Sequence, residues 1–293
     1  MTDSIGFIGL GVLGSAMAGN LVNSGFTVIG YDTVAEKKAA LEEGGGQSGT
    51  SPKDVADRSD VVILCLPTAD VLHAVADKLK DGGGEGQIIL EVSTFAIADK
   101  EKARDTLAEA GKILLDCPVS GTGAQAATGD LSILASGDRD AYQKALPVLQ
   151  GFSRTQHYVG PFGDGSKVKY IANLLVAIHN ASAAEAMVLG LKSGLDPEML
   201  LKVLTDGAGN SRVLELRGPM MVADDYDSKV TATMKIQDKD MGIINAYIDS
   251  LECPAPLFKS TIGLYKDALE GGLEKSDTAS VCRVLEKIAG IER

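Results

Sequence analysis

The chain has 293 residues, of which 45% are apolar and 23% charged, with a formal net charge of −12. That length suits two domains, each large enough to bury its own core. The negative balance repels phosphate backbones and anionic lipid, so neither nucleic acid nor a membrane surface is expected as a partner, and an anionic substrate would need local positive charge.

The first 160 residues alternate short apolar runs with helical patterns. Strands are expected at residues 5–8, 27–31, 61–66, 88–92, 113–116 and 131–135. Helices are expected at 16–24, 35–43, 71–80, 98–110 and 141–149. The run at 61–66 is apolar throughout, as in a strand buried on both faces. Strand and helix repeated in this way imply an α/β domain with a mostly parallel, doubly wound sheet. The pattern changes at Gly160-Pro161-Phe162-Gly163-Asp164-Gly165, which has the composition of a junction. Beyond it helical patterns run over 166–192, 197–205, 213–216, 235–250, 256–270 and 278–289. The expected division is a Rossmann-type domain at 1–162 and an all-α domain at 163–293.

The four cysteines, Cys65, Cys117, Cys253 and Cys282, form no C-x-x-C pair, so neither a zinc nor a redox motif is supported. No apolar run reaches about 18 residues without polar interruption, so no membrane span is expected. The N-terminus carries neither a basic region nor an apolar signal core, which makes the cytoplasm the expected location.

Gly9-Leu10-Gly11-Val12-Leu13-Gly14 is a G-x-G-x-x-G turn that follows a strand, opens a helix and precedes a second strand ending in Asp32. That is the context the dinucleotide pattern requires. Gly9 permits the tight turn, Gly11 the close approach of backbone to pyrophosphate, and Gly14 the packing of helix on strand. The pyrophosphate then lies on unpaired N–H groups at the helix N-terminus. Asp32 stands 18 residues after Gly14. A carboxylate there binds a ribose 2′-OH and repels a 2′-phosphate, so NAD is favoured over NADP.

The cofactor fold leaves the chemistry open. No tyrosine lies four residues before a lysine, and the clustered Cys and His of a zinc alcohol dehydrogenase are absent. The long helix over 166–192 is more informative. At about 100° per residue, Lys169, Asn173 and Asn180 project within about 40° of one another. Their neighbours Ile171, Leu174, Leu175, Val176 and Ile178 are apolar. A polar stripe on a buried helix needs partners. A lysine extended toward solvent from the first turns would fit the same pattern.

Four ordered motifs decide between these readings. They are the Gly-rich turn, Asp116-Cys117-Pro118-Val119-Ser120-Gly121-Thr122 with Ala126 and Gly129, Gly163-x-Gly165-x-x-x-Lys169-x-x-x-Asn173, and Lys239-Asp240-Met241. Over essentially its whole length the chain resembles the β-hydroxyacid dehydrogenases, relatives of 3-hydroxyisobutyrate and 6-phosphogluconate dehydrogenases. The resemblance implies hydride transfer between NAD and a small 2- or 3-hydroxy acid. It implies Lys169 as general acid/base and Ser120, Gly121, Thr122, Asn173 and Lys239 as substrate-binding groups. It adds Val12, Leu13, Leu66, Pro67, Thr94 and Lys239 to the cofactor site, and a homodimer or homotetramer as the assembly. Departures are Thr122 where a glycine is usual, Ala172 for an asparagine, Cys117 for an alanine and Glu91 for an aspartate. Ala208-Gly209-Asn210-Ser211-Arg212 is similar to the branch of threonate-type sugar-acid dehydrogenases, and Thr122, Asn180 and Asn210 are candidate readers of extra hydroxyls. An imine reductase of the same architecture, which usually lacks the helix lysine, and a non-catalytic dinucleotide-binding regulator are the alternative readings.

Overall fold

The computed structural model describes residues 3–293, which divide into two compact units, the first up to Lys169 and the second Tyr170–Arg293.

The first unit carries β1 (Ser4–Ile8), α1 (Val12–Asn23), β2 (Thr27–Tyr31), α2 (Ala35–Glu43), β3 (Gln47–Ser48), α3 (Pro52–Asp57), β4 (Val61–Leu64) and α4 (Ala69–Lys80). It continues through β5 (Ile88–Glu91), α5 (Ile97–Ala108), β6 (Ile113–Asp116), β7 (Val119–Ser120), α6 (Gly123–Ala127), β8 (Ser132–Ser136), α7 (Arg139–Gln150) and β9 (Thr155–Gly160) to the first turn of α8 (Asp164–Lys192). The described strands form one sheet in the order β3-β2-β1-β4-β5-β6-β8-β7, with β9 on β8. Its first six strands are parallel and β8 runs antiparallel to β6 and β7. Chain order reverses between β1 and β4, and a doubly wound sheet takes its ligand beyond the carboxyl ends of the strands at such a point. The continuous apolar run of β4 is explained by two cores. Val61 and Ile63 pack on one face with Phe7, Met17 and Leu90, while Val62 and Leu64 pack on the other with Leu72, Ile89 and Leu107.

The second unit is helical: the rest of α8, then α9 (Pro197–Asp206), α10 (Arg212–Ala223), α11 (Met234–Ser250), α12 (Pro256–Glu270), a 3-10 turn at Thr278–Ser280, and α13 (Val281–Ala289). Fully buried Asp277 organises it. Its carboxylate accepts hydrogen bonds from Thr231 N and Oγ1 and from Ala279 N, and it pairs with buried Arg217 at 3.5 Å.

The first turn of α8 is bonded to the sheet and lies in the first unit. α8 is long and apolar enough to cross a membrane, with mean hydropathy 1.5 over its most apolar stretch. Ala177, Asn180, Ala184 and Met187 on it are buried in the fold. The pattern expected to end at Leu216 runs on as α10 to Ala223, through Gly218 and Pro219.

Candidate functional site

In the first unit the carboxyl ends of β1, β4, β5 and β6 and the loop after β7 hold most of the expected site residues. Gly9 has φ +97°, and a Cβ there would lie 2.1 Å from the Cys65 carbonyl oxygen. A Cβ on Gly14 would lie 2.0 Å from the Gly9 carbonyl oxygen. At Gly11, by contrast, a Cβ would meet nothing within 4 Å. The turn is thus tightly packed underneath and open above. α1 starts at Val12 with no side-chain cap and no acidic residue in its first turn. Its first N–H groups have no intrahelical acceptors, the arrangement a pyrophosphate needs.

Asp32 sits at the end of β2 and does two jobs. Its Oδ2 accepts from Leu10 N at 2.8 Å and its Oδ1 from Val34 N at 2.9 Å, so the carboxylate ties the Gly-rich turn to the turn after β2. Lys37 lies 3.6 Å away. Across the switch point, Leu66 is buried and Pro67 exposed, and Leu66 N donates to Ser93 Oγ at 2.8 Å. That bond links the loop after β4 to the loop carrying Thr94. These residues fit a dinucleotide.

The loop after β7 adjoins the Gly-rich turn: a Cβ on Gly123 would lie 3.0 Å from Val12 Cγ1, and Asn20 Nδ2 donates to Ala126 O at 2.7 Å. Ser120 pairs with Ser132 on β8. Gly121 has φ +145° and packs so closely on Leu131 that a Cβ would approach its side chain to 2.5 Å. Thr122 caps α6 through a reciprocal box with Gln125. In that box the Thr122 N–H donates to Gln125 Oε1 at 3.0 Å. The backbone amide of Thr122, one of the expected substrate-binding residues, is therefore already engaged, and Gln125 is the residue that the sequence pattern missed.

Lys169 is 9% exposed and lies in the second turn of α8. The first turn is bolted to the sheet. Gly165 N donates to Ser136 Oγ at 2.9 Å, and a Cβ on Gly165 would lie 2.2 Å from the Leu134 carbonyl oxygen and 2.9 Å from that of Asp116. Ser166 N donates to Asp116 Oδ2 at 2.8 Å and Ser166 Oγ to Asp116 Oδ1 at 2.9 Å. The other side of Asp116 meets Lys100, whose Nζ lies 2.8 Å from Asp116 Oδ1 and 2.6 Å from Glu91 Oε2. All three side chains are fully buried. Burial opposes charge on Lys100, but Asp116 and Glu91 more than offset it and raise its pKa. Burial raises the Glu91 carboxyl, opposed by Lys100 and Ser93. Burial also pushes the Cys65 thiol up to about 12 and Cys117 well above its ordinary value, which removes both as thiolate nucleophiles at neutral pH.

In the second unit, Asn173 Nδ2 donates to Asp240 Oδ2 at 2.9 Å, and Lys239 Nζ lies 3.0 Å from Asp240 Oδ1. Asp240 thus joins the two expected substrate-binding residues of this unit, a role its position in the Lys239-Asp240-Met241 motif did not disclose. Asn180 is a correction. It is fully buried, with Nδ2 donating to Tyr265 Oη at 3.0 Å and Thr278 O at 2.8 Å, so it serves the core rather than a substrate hydroxyl. Asn210 donates to Glu215 at 2.8 Å, beside the Arg212–Glu215 ion pair.

Residues 4–160 match the family described as the NAD binding domain of 6-phosphogluconate dehydrogenase. Residues 163–285 match the one described as NAD-binding of NADP-dependent 3-hydroxyisobutyrate dehydrogenase. The chain is 34% identical to an L-threonate dehydrogenase of Cupriavidus necator, covering 98% of both chains. It is 32% identical to glyoxylate/succinic semialdehyde reductase 2 of Arabidopsis thaliana, over 97% of this chain and 80% of that one. Among solved structures it is similar to a 3-hydroxyisobutyrate dehydrogenase of Mycobacterium tuberculosis described with L-serine. The TM-score is 0.88 at 26% identity, over 97% of this chain and 99% of that one.

Proposed function

The chain belongs to the β-hydroxyacid dehydrogenase family as an NAD-dependent hydroxyacid dehydrogenase, and on that premise we propose that it holds a short hydroxy acid by its carboxylate and uses Lys169 to move the hydroxyl proton. One observation carries this reading. Asp116 both opens the stretch that runs into Ser120-Gly121-Thr122 and anchors the first turn of the helix bearing Lys169. A single buried carboxylate therefore sets the proton-transfer group and the anion-binding loop in one frame.

In this reading residues 1–162 bind the dinucleotide through Gly9, Gly11, Val12, Leu13, Gly14, Asp32, Leu66, Pro67 and Thr94. Residues 163–293 supply Asn173 and Lys239 and the surface for assembly into a homodimer or homotetramer, supported by exposed Ile171 and Leu175 on α8. NAD supplies the hydride acceptor. The Ser120 hydroxyl and the Gly121 N–H grip the substrate carboxylate, and hydrogen bonds to an anion are the strong kind. Thr122 N joins them once Gln125 lets go. Lys169 accepts the hydroxyl proton as the carbinol carbon is oxidised, and gives it back in reduction. Asn173 orients the substrate, and Lys239, set by Asp240, adds positive charge. A polyhydroxylated acid is favoured over 3-hydroxyisobutyrate, in keeping with the name of the Cupriavidus relative.

The test is NAD reduction screened over C3 to C6 hydroxy acids, L-threonate, L-serine and 3-hydroxyisobutyrate included, in wild type and Lys169→Ala. We expect the variant to lose at least ~10² in kcat, the scale of general acid–base catalysis, while NADH binding, followed by its fluorescence, persists. Near-normal turnover in the variant would show that Lys169 is structural.

A further inference from the structure

We propose that Lys100, a residue outside the reaction centre, positions Lys169: its buried ammonium clamps the Ser93 loop to Asp116, and Asp116 in turn fixes the first turn of α8. The inference rests on the reading of Lys169 as the proton-transfer residue.

The geometry is closed on every side. Lys100 Nζ donates to the Ser93 carbonyl oxygen at 2.7 Å and contacts Asp116 Oδ1 at 2.8 Å and Glu91 Oε2 at 2.6 Å, with no exposure to solvent. The ammonium thus meets three oxygens, Ser93 O and Asp116 Oδ1 by hydrogen bonds and Glu91 Oε2 as an ion pair. Glu91 Oε1 accepts from Ser93 N at 2.8 Å, which pins the same loop a second time. Ser93 Oγ accepts from Leu66 N, so the clamp reaches the loop after β4. On its far side Asp116 takes both the N–H and the hydroxyl of Ser166, together with the Ser136 hydroxyl at 3.1 Å. Ser166 lies three residues before Lys169 on the same helix, a rise of about 4.5 Å.

Charge balance supports a directional role. Two carboxylates face one ammonium, and of the two it is Asp116 that meets the first turn of α8, where the helix dipole favours a carboxylate. Glu91, the departure from the usual aspartate, is the longer side chain that reaches Lys100. A buried ion pair kept only for stability is often replaceable by apolar groups of similar size at little cost. Here the network spans the cofactor loops and the lysine helix, and a displacement of about 1 Å in a reacting group can cost ~10² in rate.

Lys100→Met alone leaves two buried carboxylates unpaired and is prone to misfolding, so the informative variants are Lys100→Met/Glu91→Gln and Ser166→Ala. The first removes the clamp with less buried charge left behind, and the second cuts only the hydroxyl link from Asp116 to α8. Each is compared with wild type and Lys169→Ala for kcat, KM, NADH Kd and thermal midpoint, using the fastest acid among L-threonate, L-serine and 3-hydroxyisobutyrate. We expect the double variant to lose about 10² in kcat with its midpoint within about 4 °C of wild type. Ser166→Ala should lose about tenfold in kcat with an unchanged NADH Kd, a split that loss of fold does not produce. Wild-type kcat in both variants, with Lys169→Ala inactive, overturns the positioning role alone. Normal turnover in Lys169→Ala overturns the proton-transfer reading and this inference with it.

Discussion

At the scale of single residues, what sequence pattern supplied was residue type, and what it withheld was the bond each residue already makes. Asp32 is expected to read the ribose because a carboxylate at the end of the second strand has one common use. Its further bond to Leu10 N was not legible, since nothing in spacing shows a side chain reaching back to a turn. Two variants separate the two jobs. Asp32→Asn keeps an oxygen toward Leu10 N and removes the charge, so the ratio of kcat/KM for NAD over NADP should fall about tenfold, the loss of roughly one charge-assisted hydrogen bond. Asp32→Ala should lower that ratio and also weaken NADH binding, because the Gly-rich turn loses its tether. Equal NADH dissociation constants for the two variants would show that the tether has no bearing on binding. Asn180 is the reverse case: periodicity puts it on the stripe of Lys169, but Tyr265 and Thr278, distant in sequence, claim it.

At the scale of elements, the long periodic helices and the apolar strands of the first unit were readable, and the short or interrupted ones were not. The strands Gln47–Ser48 and Val119–Ser120 are too short to show alternation. The strand Thr155–Gly160 is half-exposed and mixed in character, which hides it too. Gly218 and Pro219 have the composition of a stop, yet α10 continues because Gly218 lets it lie against Leu201, where a Cβ would approach to 2.3 Å. The first turn of α8 makes the sharper prediction. Gly165→Ala drives a Cβ into the Leu134 carbonyl oxygen, a backbone atom with little room to move. Stability should fall by about 1–3 kcal/mol, the usual cost of overpacking, and kcat should fall with it because the lysine helix is displaced. Urea unfolding and turnover at a permissive temperature measure the two effects, and an unchanged kcat would mean that docking this turn does not control the chemistry. In the helical unit, Asn173→Ala and Asp240→Ala should each raise KM more than they lower kcat. The double variant should be markedly less than additive, since the two side chains share one hydrogen bond. Full additivity would separate them.

At the scale of the whole molecule, the opposing facts are a net charge of −12 and a reaction expected to take an anion. The net charge opposes the approach of such a substrate, so recognition is expected to rest on local donors. On the proposed reading Ser120 and Gly121 at the loop after β7, with Lys169, are the donors within the first unit, while the second unit holds the cation Lys239 beside Asp240. A site that directs its donors to a carboxylate should reject an analogue without one, because those donors are then left unpaired. We expect each active acid to exceed its primary amide in kcat/KM by ~10³ or more at saturating NAD, below the 10⁴–10⁵ seen for the most selective polar sites. L-threonate against L-threonamide and 3-hydroxyisobutyrate against its amide are the pairs to compare. The discrimination should shrink in Ser120→Ala, since that variant lowers the acid's rate and leaves the amide's nearly unchanged. Comparable values for acid and amide in wild type would put the carboxylate outside the recognition site and move a neutral alcohol or imine ahead as substrate. Comparable shrinkage in Lys239→Ala but none in Ser120→Ala would move the anchor from the loop after β7 to the helical unit.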